Sequence, residues 1–135
     1  MKIKQSWYRI SAKALIYNEK GEFLLCKEDN GTWDFPGGGL DHGEGIDICL
    51  KRELKEEMGL TVTSINNKPK YFITANKPIS KTRPWIANIF YEVKVKDLNF
   101  IQSDECVEIG FFDIKMAGKL DTLINVKEFL KVINN

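Results

Sequence analysis

Apolar residues fall into short runs separated by polar and glycine-rich breaks. AKALIY (12–17) and EFLLCK (22–27) read as strands flanking NEKG, whose Gly21 suits a tight hairpin turn. YFITA (71–75) reads as another strand. RPWIANIFYEVKV (83–95) reads as a long one, with Trp85, Ala87, Ile89, Tyr91, Val93 and Val95 on one face. VEIGFFDI (107–114) is a further candidate. Two segments carry a helical period instead. In residues 46–58, Ile46, Leu50, Leu54 and Met58 recur every four positions, and Gly59 suits the left-handed residue that closes a helix. Near the end, Asp121 can cap a helix with Leu123, Val126, Leu130 and Ile133 on one face. EDNGT (28–32) is a polar loop, and WDFPGGGLDHGEG (33–45), with Pro36 and its glycines, predicts irregular backbone. Mixed strands and helices predict an α/β (α+β) layered fold. No repeat, linker or low-complexity tract divides the chain, so one domain over 1–135 is expected.

The helical segment carries an unusual charge pattern. RELKEEMGL (52–60) places Glu53, Glu56 and Glu57 within an arc of roughly 100° at the helical period. Glu57 falls inside the arc of the apolar stripe and Glu53 at its edge. A carboxylate against a core face is costly unless it is paired or binds a metal. Arg52 can partner one acid but lies on the far side from Glu57. Clustered carboxylates with no His or thiolate at ligand spacing favour a hard ion, Mg²⁺ or Mn²⁺. A solvated acidic face is the plainer alternative. The preceding GGGLDHGEG favours the ion: glycines let main-chain groups approach a ligand, and helix N-terminal amides suit phosphate oxygens.

Composition narrows the partners. The chain has 20 basic and 19 acidic residues, a net charge of +1, which provides no footprint for duplex nucleic acid or an anionic membrane. Hydrophobic residues at 43%, including eight Phe and three Trp, argue against disorder. Cys26, Cys49 and Cys106 are odd in number, widely spaced and without a CxxC, so buried free thiols in a reducing compartment are expected. No signal-like or membrane-length apolar run is present, and a cytoplasmic location follows as the default.

The spacing from Gly38 through Glu44 to Arg52-Glu53-Leu54-Lys55-Glu56-Glu57-Met58-Gly59-Leu60 resembles the Nudix box, with every defined position filled. W-x-F-P-G-G (Trp33 to Gly38) at its entrance, and a hairpin before it, fit the family layout. The resemblance implies a Nudix fold: a mixed sheet sandwiched between helices, with the box as loop–helix–loop. It implies metal-dependent hydrolysis of the diphosphate linkage in a nucleoside diphosphate joined to another group. By that likeness Glu53, Glu56, Glu57 and the Gly38 carbonyl hold Mg²⁺ or Mn²⁺. Glu44 and Arg52 form a supporting ion pair. The general base is Glu53 or Glu56, or a later acid: Glu105 first, Glu108 second, in SDECVEIGFF (103–112). Arg9, Gly37, Gly39 and Trp33 are candidate substrate contacts, and Arg83 is a further possible phosphate contact. His42, the only histidine, reads as a loop-surface residue. The expected partner is a small nucleotide, and a homodimer is possible. A nucleotide-binding sensor without turnover is one alternative. RNA 5′-end pyrophosphate removal is another, which needs a basic track for the strand.

Overall fold

The computed structural model describes residues 7–76 and 84–134. The elements are β1 (Tyr8–Leu15), β2 (Phe23–Lys27), β3 (Trp33–Asp34), β4 (Gly37–Gly39), α1 (Ile46–Met58), β5 (Val62–Ile65), β6 (Tyr71–Ala75), β7 (Trp85–Val95), β8 (Glu108–Phe112), α2 (Ile114–Ala117) and α3 (Ile124–Ile133). A five-stranded mixed sheet runs β4-β1-β7-β5, with β6 also pairing β7. β1 and β7 are parallel, with Tyr8 opposite Trp85 and Leu15 opposite Glu92. A second, antiparallel sheet runs β3-β2-β8.

The predicted turn at Gly21 forms: Asn18 and Glu22 pair across it, and Gly21 takes a φ of 76°. The two strands then part, β1 into the larger sheet and β2 into the smaller. Both faces of β1 are covered. Ala12 and Ala14 pack with Leu50, Leu54 and Met58 of α1, whereas Leu15 packs with Phe35, Phe90, Val126 and Phe129 on the α3 side. The sheet is therefore held between helices, as the family resemblance implies.

Three expectations change. The stretch expected to be irregular contains β3 and β4, because Gly37–Gly39 pair antiparallel with Ser11–Lys13 on the edge of β1. Asp121 does not cap α3. The N-cap is Leu123 with no side-chain bond, and the Asp121 carbonyl accepts from Trp33 N–H instead. An aspartate caps α2: Asp113 Oδ1 accepts from Met116 N–H at 2.7 Å. Cys26 and Cys106, expected as free thiols, are joined as a disulfide across a sequence separation of 80, and only Cys49 is free. Chain spacing carries no signal for that pair, which meets because β2 and β8 lie side by side. Arg83, the first residue of the 83–95 strand reading, lies outside the described residues.

Candidate active site

Two glycines set the approach of α1 to the sheet edge. Gly37 has a φ of 121°, and a Cβ there would run into the Ala12 carbonyl. At Gly38 a Cβ would sit 2.7 Å from the Glu53 carboxyl carbon, so the carboxylate rests against bare backbone. α1 closes as the pattern predicts, with Gly59 left-handed and its N–H reaching Leu54 and Lys55 carbonyls.

The acids on α1 occupy different environments. Glu57 is buried, at 8% exposure, and its Oε1 accepts from Gly37 N–H at 3.4 Å. Burial pushes its carboxyl up to about 9; Lys13 opposes this, and the neighbouring Glu53 adds to it. Glu53 bonds Arg52 at 2.9 Å, and Glu56 bonds it at 3.4 Å with its side chain 60% exposed. Arg52 thus stands between these two acids. Among the described residues, no three carboxylates converge at metal-ligand spacing in this arrangement. The Arg52 guanidinium bonds both Glu53 and Glu56, a contact a helical wheel does not show because it gives angles and not side-chain direction.

Arg52 also grips Glu44 bidentately, Nε to Oε2 and Nη2 to Oε1, both at 2.8 Å. The Arg52 fork, helped by Asp41 N–H, holds the Glu44 carboxyl down at about 2. The same bonds raise Arg52. This pairing fastens the glycine-rich loop to the helix that follows it. Burial, with the charges of Glu44 and Glu53, pushes the thiol of the neighbouring Cys49 up to about 11, which disfavours the thiolate. Its Sγ lies 3.5 Å from the Gly38 carbonyl.

A cleft of about 430 Å³ opens over these groups. Gly37, Gly38, Glu53 and Glu57 line one side, and Asp104 and Glu105 line another. Glu105 thus joins the box acids in space, 48 positions beyond Glu57 in number. Glu108 and Glu56 do not line the cleft. Arg9 is close by, its guanidinium lying over Gly39. His42 is exposed on its loop. Trp33, a candidate substrate contact, is instead a core residue at 7% exposure, stacked edge-on against Phe112 at 5.0 Å. Its aromatic ring reads equally as a binding face or as core, and packing against β8 made it core.

The sequence reading missed Lys13. This side chain is 5% exposed, donates to Asp34 Oδ2 at 3.1 Å and to the Phe35 carbonyl at 3.4 Å, and lines the cleft. Burial alone would pull its ammonium down, but Asp34 and Glu57 outweigh that and raise it. Asn125 of α3 donates to Asp34 Oδ2 at 3.2 Å and accepts from Asn88 at 2.8 Å. Asn88 Oδ1, fully buried, has no partner among the described residues. The available signal was a lysine inside the otherwise apolar AKALIY.

The NUDIX domain family model matches residues 7–131. Over 55 residues the chain is 42% identical to an RNA pyrophosphohydrolase of Actinobacillus pleuropneumoniae serotype 5b (strain L20), a match covering 40% of this chain and 27% of that protein. An RNA pyrophosphohydrolase of Ruthia magnifica subsp. Calyptogena magnifica is 32% identical over 95 residues, covering 70% of this chain and 47% of that one. The chain thus spans less than half the length of these curated relatives. In fold it is similar to the crystal structure of a MutT protein from Methanosarcina mazei Go1, with a TM-score of 0.74 at 24% identity over 98% of this chain and 96% of that one. No helix among the described residues is long and apolar enough to cross a membrane. Because the family match runs far beyond the box, through both sheets and into α3, the chain belongs to the Nudix family.

Proposed function

We propose that this chain is a pyrophosphohydrolase that cuts the diphosphate linkage of a nucleoside diphosphate joined to another group, with one Nudix domain as the catalytic unit. One observation carries the reading: Glu53 and Glu57 from α1, Glu105 from a distant turn and Gly38 line a single cleft. That cleft presents seven acidic side chains and one lysine, and burial keeps a proton on one of the acids, Glu57, up to about 9. Two like charges at 4 Å repel by about 4 kcal/mol at an effective dielectric of 20. A diphosphate therefore enters only with cations. The nearby donors are hard oxygens, which fit Mg²⁺ or Mn²⁺. Glu53, Glu56, Glu57 and the Gly38 carbonyl would hold the ion. When bound, it supplies neutralisation of phosphate charge and a more acidic water.

The remaining work belongs to the chain. Arg52 keeps Glu53 and Glu56 on one side of α1, and Glu44 keeps Arg52 in place. Glu105 accepts the proton of the attacking water at a carboxylate oxygen, with Glu53 or Glu56 as the alternative acceptor. Arg9, over Gly39, offers a fork to a phosphate oxygen, and the Gly37 and Gly39 backbone lets the substrate approach closely. The same chemistry at a 5′-pyrophosphorylated RNA end is a second reading, favoured by the likeness to two RNA pyrophosphohydrolases.

The test is a screen with Mg²⁺ across nucleoside triphosphates, nucleotide sugars, dinucleotides and a 5′-triphosphorylated oligoribonucleotide. Release of a nucleoside monophosphate product or pyrophosphate is expected for at least one small nucleotide. Turnover of the oligoribonucleotide alone selects the second reading. Nucleotide binding with no turnover on any of them overturns the proposal and leaves a sensor.

A further inference from the structure

One hydroxyl shapes the turn that carries Glu105 and also ties it to α1. Ser103 N–H donates to the Cys106 carbonyl at 2.9 Å and Cys106 N–H returns to the Ser103 carbonyl at 3.3 Å, leaving Asp104 and Glu105 at the tip. Within the turn, Ser103 Oγ accepts from Glu105 N–H at 3.3 Å and from Cys106 N–H at 3.2 Å. The same Oγ donates outward to the Glu57 main-chain carbonyl at 2.6 Å. A hydroxyl has one proton and two lone pairs, so all its capacity is committed here.

The partner it reaches is telling. The last carbonyls of an α-helix have no partner within the helix. In α1, those of Leu54 and Lys55 are met by Gly59 and Leu60 N–H, and that of Met58 by Ile101 N–H at 2.9 Å. The carbonyl of Glu57, whose side chain lines the cleft, is met by Ser103. The far side of the turn is fastened elsewhere: Cys106 to Cys26, and Val107 N–H to the Lys27 carbonyl, both on β2. Those ties fix the turn to the smaller sheet and say nothing of its distance from α1.

We propose that Ser103 is a positioning residue, whose hydroxyl sets the Glu105 carboxylate at its working distance from the Glu53–Glu57 pair. The proposal rests on Glu105 acting on the attacking water. A displacement of about 1 Å in a catalytic group can cost about 10²-fold in rate.

The test is a double-mutant cycle in the full chain, using the fastest substrate of the screen above. We expect Ser103→Ala to lower kcat by about ten- to a hundredfold with KM nearly unchanged. Ser103→Thr, which keeps the hydroxyl, should restore kcat to within about threefold of the parent. In a Glu105→Gln background, Ser103→Ala should add less than about twofold. Full multiplication of the two losses, or an unimpaired Ser103→Ala, overturns the Ser103 role while leaving Glu105 standing if Glu105→Gln alone is impaired. Parental turnover in Glu105→Gln removes the Glu105 reading, and this inference with it.

Discussion

Lys13 shows what one charge costs inside a core. It and Asp34 are 6% and 13% exposed at the side chain, and each is the other's main compensation. Removing one partner of such a pair leaves a buried charge, at a cost of about 3–5 kcal/mol. Lys13→Met should therefore lower the urea midpoint strongly, and Lys13→Met with Asp34→Asn should recover most of the loss. An unchanged midpoint in the single variant would mean that water reaches Asp34. Glu56 has no such buried duty, its side chain being 60% exposed. Glu56→Gln should keep the parental thermal midpoint yet lower turnover by about 10²-fold or more, the scale of a lost electrostatic or proton-transfer group. Parental rates in that variant would remove Glu56 from the proposed ligand set.

At the scale of elements, the β4–α1 contact is the tightest constraint on the site. Gly38 leaves no room for a methyl beside Glu53. Gly38→Ala should push that carboxylate aside and weaken Mn²⁺ binding, measured by calorimetry, by about tenfold, while circular dichroism stays parental. Undiminished Mn²⁺ affinity would show that the contact is incidental. Element type was readable wherever burial follows the period. Residues 46–58 form a helix with Leu50, Leu54 and Met58 inside, and β7 runs to Val95 as its alternation suggests. Reading failed where pairing rather than side-chain pattern makes the element. β4 is three glycines with no pattern to read, and it exists because β1 offers an edge. α3 starts without a side-chain cap because Val126 and Phe129 bury against the sheet, and packing outweighs capping worth about 1 kcal/mol.

At the scale of the whole molecule, one buried acid in the cleft and one Arg52-paired acid beside it couple stability to pH in opposite senses. The folded chain keeps a proton on Glu57 up to about 9, whereas an ordinary glutamate releases it near 4.5. Stability from this group is complete below about 4.5 and is lost as pH climbs through that window, because the unfolded chain binds fewer protons there. Glu44 acts oppositely: its contribution is present above 4.5 and fades as pH falls toward 2. In chelator, the thermal midpoint should fall between pH 6 and pH 9, and Glu57→Gln should flatten that fall. Added Mg²⁺ should raise the midpoint most at the alkaline end, where the carboxylate is free to bind it. A slope untouched by Glu57→Gln would assign it to another group.

Local order along the chain was enough for the layered fold, for the course of α1 and for the acids it displays, because periodicity and residue type act over a few neighbouring positions. Meetings between distant segments had no such signature. Arg52 bonds both Glu53 and Glu56, Lys13 lies buried against Asp34, Cys26 bonds Cys106, and Ser103 reaches back to Glu57. Each depends on how β1, β2, α1 and the turn before β8 close around one cleft, and that closure is set by burial summed over the whole core.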